Sequence, residues 1–256
     1  MVHHACPVGQ VNAHPSCPLR AHPGRASRCL CPCKSLYLAC HDSSVTSGPE
    51  QVAQIPVRVA DRLTEQLAPG GWRRHRFVPD DEVAFVREPV HGVVFHLSVN
   101  LAGRDGVLLS PSVGVEHVAA AEVQRQLFGR TDTACQVGAS MRDLVNDAET
   151  SKVSLSRWWV VLPEEVDEAV AQVVADLTAY GEPFLVGNQT LPKVIETLLE
   201  RPKSQVEYAS LAVCLAGLGD MPKARAMLAK FGAVPRVFAG GMTEAFIHNF
   251  TERFGN

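Results

Sequence analysis

His96, Ser98 and Asn100 put an imidazole, a hydroxyl and an amide at every second position of one strand-like run. That spacing turns all three to the same face of a β-strand. An imidazole beside a serine can take its proton and make it a nucleophile, and an asparagine amide can steady the resulting oxyanion. Ser110 and Ser112, on the next apolar run, would lie opposite them. The same row also reads as a face for binding a ligand or partner. It reads equally as the plain wet side of a strand with one buried face, which needs polar residues in any case.

A second group of chemically competent residues crowds the N-terminus. Residues 1–44 hold six of the eight cysteines and five of the ten histidines, with Cys29, Cys31, Cys33, Cys40 and His41 as metal-ligand types in a short span. Their C-x-C-x-C spacing is not the C-x-x-C knuckle of structural zinc sites, and no second knuckle follows. Ser35 to Cys40 resembles a lipoprotein cleavage box, but its apolar run is too short for a signal peptide. The expectation is an extension that is disordered or lies outside the functional protein, with Val45 as an alternative first residue. Elsewhere, P-loop, dinucleotide-binding, nucleophile-elbow and H-E-x-x-H patterns are all absent, and no cofactor is expected.

The elements that must position His96 and its neighbours are legible from periodicity. Phe95, Leu97, Val99 and Leu101 alternate with the polar row, and Val107, Leu109, Val113 and Val115 repeat the pattern on the return. Between them, Gly103-Arg104-Asp105-Gly106 predicts a tight reversal, because Asp-Gly tolerates positive φ. One hairpin needs a roof for its apolar face. Val52, Ile55, Val59, Leu63 and Leu67 give one helical stripe before it, with the helix expected to begin near Pro56. Trp72 and the basic run Arg73 to Arg76 read as a solvated strand edge, and Val83 to Glu88 as a strand.

After the hairpin, Val118 to Phe128 predicts a helix ended by Gly129, and Cys135 to Met141 and Arg157 to Leu162 predict strands. Pro163 opens a helix whose first turn carries Glu164, Glu165, Asp167 and Glu168, as the helix dipole favours, and Tyr180 to Pro183 is expected to close it. Helices follow from Leu191, over Val206 to Phe231 as an αα-hairpin with the spacing of a single tetratricopeptide unit, and over Thr243 to Phe254. Cys135 and Cys214 read as buried thiols in a reducing cytoplasm; His91, His117 and His248 read as surface or satisfied core histidines.

The whole is an α+β pattern: an antiparallel sheet built on a central hairpin, an N-terminal helix, and C-terminal helices covering it. Residues 51–200 form the α+β part, with 201–256 as a helical extension packed on it. Of 256 residues, 46% are apolar and 20% charged, and no run is long enough to span a membrane, so a cytoplasmic protein is expected. Residues 1–44 carry four basic side chains and one acidic. The remaining 20 basic and 26 acidic residues leave positions 45–256 at a net −6. Such a balance disfavours nucleic acid as a ligand and suits a basic protein partner.

Trp72-Arg73-Arg74 after a first helix, the strand Phe95 to Leu101, Met141-Arg142-Asp143-Leu144, and an acidic helix before Tyr180-Gly181-Glu182-Pro183-Phe184 together resemble uncharacterised actinobacterial domains of unknown function. Those domains are similar in turn to bacterial immunity-protein-like α+β domains. The resemblance covers most of residues 51–200 and implies a protein-binding role without catalytic residues. Two function classes follow. One is a non-enzymatic interaction protein, antitoxin- or immunity-like, using the wet sheet face or the acidic helices. The other is a small-molecule-binding protein or enzyme with its site on the row of His96, Ser98 and Asn100; it predicts a concavity there and a perturbed titratable group.

Overall fold

The computed structural model describes residues 49–75, 81–103, 106–129, 135–149, 155–201, 204–234 and 241–255. Residues 45–256 form one compact unit. At its centre are β3 (Val93–Ala102) and β4 (Val107–His117), paired antiparallel so that Phe95 faces Val115, Leu97 faces Val113 and Leu101 faces Leu109. These apolar side chains are buried, several completely. Each contributes roughly 1.5–3 kcal/mol of burial. The two strands reverse between Gly103, whose φ of 148° suits glycine, and Gly106; Arg104 and Asp105 lie outside the described residues.

Around the hairpin the strand order is β1 (Arg73–Arg74), β2 (Glu82–Val90), β3, β4 and β5 (Val137–Ser140), all antiparallel. A two-residue β6 (Trp159–Val160) pairs with the first residues of β4. The far side of β4 is thus divided, with β6 at Val107 and Leu108 and β5 from Ser112 to Val115. Pro111, which cannot donate to a ladder, falls in the intervening stretch that pairs only with β3. Arg73 and Arg74 form an exposed edge, as their charge suggests.

Three expectations need correction. α1 (Pro49–Leu67) starts before Pro56 and runs through it. Proline forfeits one backbone hydrogen bond there, and the complete burial of Ile55 and Val59 on either side offsets the loss. The run from Arg157 to Leu162 is mostly not strand: a 3-10 turn (Leu155–Trp158) precedes the two residues of β6. Nor does the acidic helix stop at Tyr180. α4 (Val166–Asp176) passes through a π turn (Leu177–Gly181) directly into α5 (Glu182–Gly187). Pro183 follows directly on the wider π turn, where the helical bonding has already shifted register and the hydrogen bond its missing N–H cannot make is accommodated. Gly181 lets that turn close against Met141 and the sheet, since a Cβ there would stand 3.1 Å from Met141 and 3.4 Å from Val113 of β4.

The helices cover the sheet and each other. α1 packs on α4, and α3 (Met141–Glu149) and α5 lie against β4. α2 (Val118–Phe128) ends at Gly129 in the left-handed region. Beyond α6 (Leu191–Glu200), α7 (Gln205–Gly217) and α8 (Met221–Ala233) form the expected αα-hairpin; Ser204 and Glu207 cap α7 reciprocally. α9 (Met242–Phe254) packs on α2 and α8, bringing Phe246 within 4.4 Å of Phe128 and 4.9 Å of Phe231 between ring centroids. Among the described residues no helix is long and apolar enough to cross a membrane.

Candidate functional site

Strand register decides which polar residues meet. His96 stands opposite Gly114, Ser98 opposite Ser112, and Asn100 opposite Ser110; β5 then sets Gly138 beside Gly114 and Ser140 beside Ser112. His96, Ser98 and Ser112 line a cleft of about 380 Å³ together with Gly114, Cys135, Gly138 and Ser140. Asn100 and Ser110 lie further along the ribbon, exposed and outside that cleft. The hydroxyl of Ser98 donates to Glu82, and that of Ser112 reaches the Ser98 carbonyl at 3.5 Å. The pairing of His96 with a serine is therefore not what the side chains make.

His96 is instead turned to residues that periodicity did not single out. Its Nε2 lies 2.9 Å from Glu116 Oε2, while Arg125 of α2 donates Nη1 to Glu116 Oε1 at 3.0 Å. Burial opposes charge on His96, but the Cys135 sulfur, accepting from the ring, and the Glu116 carboxylate outweigh it and raise the imidazole to about 9. Burial likewise opposes the Glu116 carboxylate, and His96 and Arg125 overcome it, holding that group below the usual carboxylate range. Cys135, read from sequence as a buried thiol, is half-buried at this cleft; Cys214 is fully buried and its thiol is pushed up to about 12 by burial. The signal for Cys135 was the glycine pair, Gly114 and Gly138, which leaves room above the sheet.

The other singled-out histidines divide as their surroundings dictate. His91 and His248 are exposed. His117 is buried, its Nε2 is 3.2 Å from the Asn188 carbonyl, and burial lowers its pKa. Cys29, Cys31, Cys33, Cys40 and His41 lie outside the described residues. Among the described residues no three His, Cys, Asp or Glu side chains are grouped as metal ligands.

A second cleft, of about 340 Å³, opens where β6 meets the start of α4. Trp159 pairs with Leu108, so its side chain lies on the same face of the sheet as Ser110 and Ser112. One side of the indole rests on the turn of the hairpin, 3.0 Å from where a Cβ on Gly106 would stand. The residue remains 38% exposed. Glu165, Glu168, Gln172 and Arg157 complete the wall. Glu165 spends one oxygen on the N–H groups of Val161 and Leu162. Glu168 makes no hydrogen bond or ion pair among the described residues. Arg157 is already neutralised by Asp176 and lies 3.7 Å from Glu149. The cleft is thus an aromatic surface ringed by surplus negative charge. The acidic helix start was legible in the sequence, but its meeting with a tryptophan was not.

No family model, no curated protein and no solved structure matches the chain.

Proposed function

We propose that the chain is a protein-interaction module that engages a basic partner, with a lysine or arginine of that partner entering the Trp159 cleft. The observation that carries the reading is the exposed Trp159 side chain beside the Glu168 carboxylate, which has no partner among the described residues. A cation over an indole face gains about 0.5–2 kcal/mol, more as the site dries, and an adjacent carboxylate selects for the same charge. Tryptophan is also the residue type that most often anchors an interface. The net −6 of residues 45–256 adds long-range attraction of the matching sign.

This reading accords with the immunity-like role that the resemblance implies, and it assigns the contact to the acidic helix and the β6 end of the sheet. Calorimetric titration with a hexa-arginine peptide tests it. Binding is expected, weakening steeply as salt is raised.

A further inference from the structure

At the other end of the same sheet face, the cleft beside His96 holds a nucleophile that the interaction role leaves unused. The Cys135 sulfur occupies the space a Gly114 side chain would fill, 2.9 Å from the position of that absent Cβ. His96 is the cross-strand neighbour of Gly114, so imidazole and thiol stand side by side over one glycine. Glu116 holds Nε2 of the ring at 2.9 Å, so Nδ1 is the ring nitrogen not spent on that carboxylate. Gly138 and Ala139 floor the remaining space.

We propose that Cys135 and His96 form a nucleophilic site that accepts an acyl group from an ester-type substrate seated in this cleft. The thiol proton resides on His96 as the sulfur attacks the carbonyl carbon. A C–S bond forms, the C–O bond to the leaving group breaks, and the leaving oxygen takes the proton from His96. Water then adds to the thioester, gives its proton to His96 and expels the sulfur, which recovers that proton; the net change is ester plus water to acid plus alcohol.

The charged groups facing the pair are Glu116 on β4, Arg125 on α2, and Glu82 on β2 through Ser98. From the β5 side come Asp143 through Ser140, and Arg201, whose Nη1 donates to the Gly138 carbonyl at 2.9 Å. Three carboxylates thus face two guanidiniums, and Arg125 is spent on Glu116, so the positive charge beside the sulfur is that of the His96 ring itself.

The test is peptide-resolved mass spectrometry of the full chain at pH 7 after brief exposure to iodoacetamide or to p-nitrophenyl acetate, which keeps Cys135 separate from the six N-terminal thiols. Cys135 is expected to alkylate roughly tenfold faster in the folded chain than in urea, and to carry acetyl after the ester. His96→Asn should remove both effects. If His96→Asn does not fold, the folded-against-unfolded comparison on the natural chain decides alone. Cys135 reacting no faster when folded, or an ester that leaves Cys135 bare while p-nitrophenol is released no faster than with the urea-unfolded chain, would overturn the proposal. None of these readouts depends on the Trp159 cleft.

Discussion

Asp176 and Arg157 form a two-pronged ion pair, with Nε at 2.9 Å and Nη2 at 2.5 Å from separate carboxylate oxygens, and Asp176 is only 2% exposed. The same carboxylate also accepts from Trp158 Nε1 and from Gln172. One buried acid on α4 thereby holds the two residues that lead into β6 and cancels the charge of Arg157, the one cation lining the Trp159 cleft among the described residues. What remains at the cleft is acidic.

Removing that acid strands a guanidinium, an indole N–H and an amide together. Asp176→Ala is therefore expected to cost about 3–5 kcal/mol of unfolding free energy, measured by urea denaturation. A loss below about 1 kcal/mol would show that solvent already screens the pair.

Two histidines set opposite pH limits. His96 is raised to about 9 in the fold, so its stabilising contribution is complete below its ordinary value near 6.5 and is lost as pH climbs towards 9. His117 is lowered by burial, so its contribution is complete above 6.5 and is lost as pH falls below that. Unfolding free energy should peak near pH 6.5–7. His96→Asn should flatten the alkaline limb and leave the acidic one. An unchanged alkaline limb in that variant contradicts the assignment.

Gly106 carries the weight of the indole. Gly106→Ala places a methyl 3.0 Å from the Trp159 ring and 2.7 Å from the Val160 carbonyl. Overpacking of this kind costs about 1–3 kcal/mol. It should also raise acrylamide quenching of tryptophan fluorescence, because Trp72 and Trp158 are buried and Trp159 is the ring free to move outwards. Unaltered quenching would mean that the ring does not rest there.

The hairpin and the helices were legible because their signals are local. Phe95 to Leu101 alternate cleanly, Asp105-Gly106 marks the reversal, and the stripes of α1, α7 and α9 repeat at helical spacing. Where tertiary packing overrides local preference, the reading failed. Pro56 and the segment Tyr180 to Pro183 look like helix ends, yet burial carries α1 through the first, and Gly181 lets a π turn bridge the second. Trp158 and Trp159 look like strand residues, but Trp158 is drawn inward to Asp176. At the candidate sites, alternation correctly put His96, Ser98 and Ser112 on one face. It could not pair His96 with Glu116, a diagonal neighbour, or with Cys135, which arrives from the residues just before β5. Nor could it bring Trp159 to Glu168, since that contact depends on where α4 docks.

Calorimetric titration of a hexa-arginine peptide into four proteins tests the central claim most directly: the natural chain, Trp159→Ala, Glu168→Gln, and Glu200→Gln as an exposed carboxylate away from the cleft. Binding to the natural chain is predicted to fall about tenfold or more in Trp159→Ala and several-fold in Glu168→Gln, and to stay unchanged in Glu200→Gln. Equal loss in both charge variants with none in Trp159→Ala would show diffuse attraction to an acidic surface. That result, or no binding at all, would contradict a cation site at Trp159.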